Sequence, residues 1–145
     1  NRKYMELTII IPVYNVENHL SRCLDSIFVG NNIDGEFEVI AVDDGSTDNS
    51  YGILQEYTFR YKQLKIYHQE NQGSSVARNK ALDVATGKYI MFVDSDDFVE
   101  KDSINTILQE AIKTDVDILF YDFNVISEDG VKFYSIFRYY VKIVE

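Results

Sequence analysis

FEVIAVDDGSTDNS, residues 37–50, decides the fold. Its opening residues, FEVIAV, are apolar but for Glu38 and rich in β-branched side chains, as in a short strand covered on both faces. Asp43 and Asp44 fall where that strand ends. Thr47, Asp48 or Asn49 can then cap a helix, because each carries a side-chain oxygen able to accept a free N–H of a first turn. The stretch therefore reads as strand, acidic turn, helix.

Outward from it the same order recurs. Residues 7–13 (LTIIIPV), 64–68 (LKIYH) and 88–94 (KYIMFVD) are further short apolar runs with the same strand character. Between the runs, Leu20, Cys23, Leu24, Ile27 and Phe28 recur at helical spacing, as do Ile53, Leu54, Tyr57 and Tyr61. Val76, Ala77, Ala81, Val84 and Ala85 form a third such set, and Gly87 follows where a left-handed residue closes many helices. Strand alternating with helix implies an α/β fold: a mainly parallel, open sheet with helices on both faces and right-handed crossovers. Ligands of such sheets bind beyond the carboxyl ends of the strands. After the fourth run, the spacing predicts a helix from about Ser103 to Lys113, then a strand near Asp117 to Ile126. Asp129-Gly130 is expected to turn a hairpin into the run from Val131.

Composition narrows the partners. The chain is 46% hydrophobic, with eleven Tyr, nine Phe and one Pro, unlike the aromatic-poor, proline-rich profile of disordered chains. A formal net charge of −10 and the absence of a basic stripe argue against nucleic acid as a partner. Cys23 stands alone, so no internal disulfide forms; it falls on an apolar helical face and reads as a small core side chain. A reducing cytoplasm is the simplest compartment, with peripheral contact at the inner membrane face left open. The longest apolar run, Leu7 to Tyr14, is far short of the ~20 residues that span a bilayer.

The acids fall at the ligand-binding edge of this sheet: Asp43 and Asp44 after the second strand, and Asp94, Asp96 and Asp97 after the fourth. Carboxylates gathered there raise one another's pKa unless a cation or hydrogen-bond donors offset them. A hard cation such as Mg or Mn, sharing its coordination sites with substrate phosphates, meets that need. The turn-and-cap reading of the same acids stays open at this point, most of all for Asp43 and Asp44. His19 opens a helix and His68 ends a strand, and both read as structural. Tyr51, Tyr57, Tyr61 and Tyr67 read as packing.

Four blocks in register carry a resemblance. Pro12-Val13-Tyr14-Asn15 with Glu17, VDDGSTD from Val42 to Asp48, NQGSSVARNKAL from Asn71 to Leu82, and FVDSDD from Phe92 to Asp97 together resemble the family 2 glycosyltransferases of the GT-A fold. That fold is a Rossmann-like nucleotide-diphospho-sugar transferase fold. The likeness runs from about Leu7 to Phe98; beyond Phe98 it is only one of pattern.

The resemblance implies a donor site. Pro12, Val13 and Tyr14 would lie where the nucleotide base sits, with the flat face of Tyr14 for stacking. Asp44 would accept a hydrogen bond from the base, by family habit uracil. Glu17 and Asp43 belong to the same blocks and are counted with the donor-binding residues. Arg78 and Asn79 would line the donor pocket, and a guanidinium suits a pyrophosphate. Asp94-Ser95-Asp96 would be the DXD triplet, with Asp96 the metal ligand and Asp97 its rival. Gly73, Ser74 and Ser75 read equally as phosphate contacts or as a loop and helix cap.

The implied reaction is inverting transfer of a sugar from a nucleoside diphosphate sugar to a hydroxyl acceptor, with Mg or Mn, in polysaccharide or cell-surface glycan synthesis. The acceptor would be a saccharide, a lipid-linked glycan or a protein. The catalytic base of such enzymes lies well downstream of the triplet, and Asp117, Asp122, Glu128 and Asp129 follow it closely. Residues 1–145 are therefore expected to be a single GT-A nucleotide-sugar-binding domain that stops before the acceptor-binding segment and lacks the base. Two other readings compete. A nucleotidyltransferase needs a glycine-rich, basic phosphate loop after the first strand, where this chain has PVYNVENH. A module that only binds nucleotide or scaffolds a partner would keep the same donor residues.

Overall fold

The computed structural model describes residues 4–121, 124–126, 132–134 and 140–141. The chain divides into two compact units, Asn1–Asn105 and Thr106–Glu145. In the first, β1 (Met5–Val13), β2 (Glu36–Asp43), β3 (Leu64–His68) and β4 (Tyr89–Phe92) alternate with α1 (Glu17–Phe28), α2 (Ser50–Arg60) and α3 (Ser74–Val84). The strands are parallel and lie in the order β3-β2-β1-β4. This is the α/β fold with a parallel sheet that the alternating runs imply.

Both faces of the central strands β1 and β2 are covered, whereas the edge strands β3 and β4 are partly exposed, Ile90 and Phe92 among their exposed residues. Ile10, Ile40 and Val42 pack with Ala77 and Ala81 of α3 on one face. The alternate residues Ile9, Ile11, Val39 and Ala41 are equally buried and point to the other face, since side chains alternate along a strand. Right-handed crossovers place α1 and α2 there. On α1, Leu20, Cys23, Leu24 and Ile27 are the buried residues, the same apolar stripe that its spacing predicts. Burial pushes the Cys23 thiol up to about 12, helped by the negative charges of Asp97 and Asp96, so Cys23 is an inert core side chain.

The chain runs outward from β1 to β2 to β3, then returns across the sheet to place β4 on the far side of β1. Pro12 sits at that reversal. Val93 N donates to Ile10 O, so even-numbered residues of β1 face β4, and the last β1–β4 pair is Ile10 with Phe92. Pro12 faces the β4 side one step beyond that pair, where its missing N–H breaks no ladder bond. The two strands part there and leave the sheet open at its carboxyl edge.

Two expectations change. Gly87 was expected to close α3 in a left-handed conformation, but the helix ends at Val84 and Ala85 is extended, with φ −65° and ψ 138°. Gly87 is instead required by close approach: a Cβ there would collide with the backbone of Leu7 and Thr8, and its N donates to Thr8 Oγ1 at 2.9 Å. The single strand expected near Asp117 to Ile126 is two short ones in the second unit, where α4 (Ser103–Thr114) leads into them. β5 (Ile118–Leu119) pairs antiparallel with β8 (Tyr140–Val141), and β6 (Asn124–Ile126) with β7 (Lys132–Tyr134). The expected turn at Asp129-Gly130 lies outside the described residues.

Glu38, 1% exposed, locks the opposite edge of the sheet. Its Oε1 accepts from Thr8 Oγ1, Thr86 N and Thr86 Oγ1, each at 2.8 Å, and its Oε2 pairs with Lys65 Nζ at 2.6 Å. Burial alone would raise this carboxyl, but Lys65, Thr86 and Thr8 outweigh it and hold the pKa near 2, against an ordinary 4.5. A lowered folded pKa contributes stability above the unfolded value and loses it as pH falls through the folded one. We expect Glu38→Gln to lower unfolding free energy at pH 7 by roughly 3 kcal/mol. The gap to wild type should close between about pH 4.5 and 2, as chemical denaturation at stepped pH will read.

Candidate functional site

The loops after β1 and β2 brace each other through side chains reaching across to backbone. Asn15, in the left-handed region at φ 49°, accepts from Thr47 N at 2.8 Å, while its own N donates to Ser46 Oγ at 3.0 Å. Val16 N donates to Ser50 Oγ at 2.9 Å. Asp48 Oδ2 then accepts from Glu17 N at 3.0 Å, and Glu17 Oε2 accepts from Asn49 N at 2.8 Å. Two helix starts thus satisfy each other's free N–H groups, a capping box split between two elements. Of the three residues able to cap α2, Asp48 supplies the bond, with Oδ1 accepting from Ser50 N at 2.9 Å; Asn49 makes no side-chain cap.

Asp44 organises the next loop. Its carboxylate is 2% exposed, and Oδ1 accepts from Gln69 Nε2 at 2.7 Å and Gln72 N at 2.8 Å. Oδ2 accepts from Gly73 N at 2.8 Å. Burial would raise the carboxyl, yet these three donors hold it below the usual carboxylate range, so it is ionised at neutral pH. Gly73, at φ 95°, turns the chain directly into α3. Asp44 therefore sets where α3 begins and where Ser74 and Arg78 stand. Beside it, Asp43 is fully buried and its Oδ2 lies 2.7 Å from His68 Nδ1. His68 leans edge-on to Tyr51, with ring centroids 5.6 Å apart.

After β4 the chain makes a tight acidic turn, closed by Asp97 N donating to Asp94 O at 3.0 Å. Ser95 is buried, whereas Asp94, Asp96 and Asp97 are exposed. Arg78 reaches from α3 to Asp94 Oδ1 at 2.6 Å and to Ser74 Oγ at 3.2 Å. Partial burial raises the Asp97 carboxyl, and the charges of Asp96 and Asp94 raise it further, with Arg22 opposing. Among the described residues, no three His, Cys, Asp or Glu side chains gather as a metal-binding group.

These four loops, one after each strand, enclose a cleft of about 460 Å³ at the carboxyl edge, where β1 and β4 part. Pro12, Val13, Tyr14, Asp44, Arg78, Asp94, Ser95 and Asp96 all line it. Tyr14 is 47% exposed, leaving ring surface free for a ligand. Glu17, Asp43, Asn79 and Asp97 do not line it; Glu17 serves the split capping box and Asp43 the His68 pair. Val16 and Asn71 line the cleft without having been singled out. Asn71 opens the NQGSSVARNKAL block just past β3, a position that could have revealed it; Val16 carries no such signal. Asp122, Glu128 and Asp129 lie outside the described residues.

Asp44→Asn replaces one acceptor oxygen with a donor that faces either Gln69 and Gln72 or Gly73, leaving a buried N–H without its partner. Thermal and urea denaturation should show a loss of about 1–3 kcal/mol. An unchanged stability would mean that the loop does not depend on this carboxylate.

Comparison with known proteins agrees with the geometry. The glycosyl transferase family 2 profile matches residues 8–142. Glycosyltransferase GlyA of Streptococcus pneumoniae is 38% identical over 145 aligned residues, covering 97% of this chain and 20% of GlyA. The structure is also similar to Staphylococcus aureus TarS 1–349 in complex with UDP-GlcNAc, with TM-score 0.72 and 33% identity over 78% of this chain and 33% of that one. A mannosyltransferase from Pyrobaculum calidifontis, in complex with GDP-Man and Mn2+, gives TM-score 0.64 and 26% identity over 77% of this chain and 32% of that one. The chain thus spans from a fifth to a third of the length of these proteins. Its parallel sheet, open at the reversal, is the GT-A arrangement of these neighbours, and the chain belongs to glycosyltransferase family 2.

Proposed function

We propose that this chain is the donor-binding domain of an inverting glycosyltransferase that takes a nucleoside diphosphate sugar, by preference a UDP-sugar, and passes the sugar to a hydroxyl acceptor. The observation that carries this reading is the cleft at the strand reversal, with an exposed aromatic ring at one wall and Arg78 with the Asp94–Asp96 turn at another. Open parallel sheets bind ligands at such reversals. The UDP-GlcNAc and GDP-Man complexes of two similar structures support the choice of ligand.

In this reading the base lies against Tyr14, with Pro12 and Val13 beneath it. Asp44 has three of its roughly four acceptor positions filled by Gln69, Gln72 and Gly73. One position remains for an N–H on the base edge. Arg78 faces the diphosphate, where a planar guanidinium pairs well with phosphate oxygens.

The residues fit a divalent cation. Mg or Mn sites of this kind use one or two carboxylates and complete their shell with water and substrate phosphate, so a three-residue cage is not required. Asp96, exposed on the cleft wall, would hold the ion, with Asp94 or Asp97 beside it. The Asp97 carboxyl is raised first by partial burial and then by the charges of Asp96 and Asp94, and a cation would offset that repulsion. Bound there, Mg or Mn supplies Lewis-acid stabilisation of charge on the departing nucleoside diphosphate. Ser95 and the turn bond from Asp97 N to Asp94 O hold the acids in place, and Arg78 orients Asp94.

The acceptor and its base are assigned to parts of the protein beyond this site, in keeping with the short share of its relatives that the chain spans. Glycan synthesis at the cell surface and work in the cytoplasm complete the proposal; the lone, buried Cys23 suits a reducing compartment. No helix among the described residues is long and apolar enough to cross a membrane.

Calorimetric titration of the chain with UDP, with and without Mn, tests the reading, with ADP and GDP as comparators. UDP should bind only with metal, and Asp96→Ala should abolish that binding while leaving the fold intact. Arg78→Ala should weaken it roughly ten- to hundredfold. A folded chain that binds no nucleotide would refute the proposal.

A further inference from the structure

The reading of the acidic turn as the metal and diphosphate site raises the question of what fixes that turn. Within the turn itself only one backbone bond is present, from Asp97 N to Asp94 O. Apart from Arg78 of α3 on the Asp94 carboxylate, the hold comes from α1 and the residues just after it. Cys23 Sγ lies 3.6 Å from Asp94 O. Ser26 Oγ accepts from Val99 N at 3.0 Å while donating to Cys23 O at 2.6 Å. Asn31 donates to Glu100 O at 3.2 Å and accepts from Ile104 N at 2.9 Å. Most of these contacts bind the segment at its ends.

Among these contacts, that of Arg22 reaches the middle. Its Nη2 donates to Asp96 O at 3.1 Å, and its guanidinium lies over the Phe98 ring, 4.8 Å from the centroid. One planar cation thus grips the residues on either side of Asp97, through a charge-assisted hydrogen bond and a cation–π contact. It also brings a second positive charge to the three acids, besides Arg78 on Asp94, and opposes the rise of the Asp97 carboxyl. A hydrogen bond on the Asp96 carbonyl fixes the peptide plane from which that side chain springs, so it limits where the carboxylate can point.

We propose that Arg22 is a positioning residue of the donor site, clamping the Asp96–Phe98 backbone so that the Asp96 carboxylate faces the cleft. This rests on the donor-site reading above. Lysine is a poor substitute, because a point-charge ammonium cannot both lie flat on the Phe98 ring and donate in the plane of the Asp96 carbonyl.

The test compares the whole chain with Arg22→Met, which keeps the apolar stem, and Arg22→Lys, which keeps the charge. Amide hydrogen exchange at Asp97 is read without nucleotide, and UDP affinity with Mn is read by calorimetry. Both variants should show exchange at Asp97 faster by about fivefold or more and UDP–Mn binding weaker by about tenfold. Exchange at Ile9 to Ile11 and the melting temperature should stay as in wild type. Full recovery by lysine, or faster exchange with unchanged UDP affinity, overturns the positioning role, as does no change in either readout. If wild type itself binds no UDP, the donor-site reading fails, while exchange at Asp97 still judges the clamp.

Discussion

The reversal of strand order between β1 and β4 is the constraint on which the site depends. A sheet built in one direction would keep its edge strands pairing along their length; here β4 returns to the far side of β1 and stops pairing at Phe92. Pro12 follows one step later on the same side of β1, where no partner remains for the N–H it lacks. The cleft lies where the two strands part, lined by the last residues of β1 and by the turn that follows β4. Everything else at this edge concerns how four loops are held around an opening that the topology already provides.

Those loops are held by polar bonds rather than by apolar packing, which suits an edge that must stay wet and receive a charged ligand. Asp48 and Glu17 exchange helix starts, Asn15 ties the first loop to the second, and Asp44 gathers the third. All three of these acids do structural work, each carboxylate accepting from backbone N–H groups. Asp44 is the sharpest case: burial opposes its charge, yet three donors keep it ionised. At the far side, Arg78 and Arg22 bracket Asp94 to Asp97 from α3 and α1, so the turn is offset from two directions before any cation arrives.

Much of this was legible in the sequence. Apolar runs and helical spacing located the four strands of the parallel sheet and, among the described residues, the four helices; β1 and β2, buried on both faces, leave an almost unbroken apolar signature. The blocks around Tyr14, Asp44, Arg78 and Asp96 located the cleft wall for the same reason that any parallel sheet does: acids placed at strand ends meet at one edge. What periodicity could not show was which polar residue bonds to which. Glu17 stands within a family block but caps α2, a partner 32 residues away. Gly87 looked like a helix terminator, and its real constraint is the backbone of a strand some eighty residues earlier. Arg22 carries no pattern at all, since helical spacing singles out the apolar stripe and passes over the charged residue beside it.

The most direct test of the central claim is a crystal structure of the chain with UDP and Mn. The account predicts UDP in the cleft between the ends of β1 and β4, with the base against Tyr14, and the diphosphate between Arg78 and a metal held by Asp96. A nucleotide bound at another surface, or one in the cleft with its diphosphate turned away from Asp96, would contradict it.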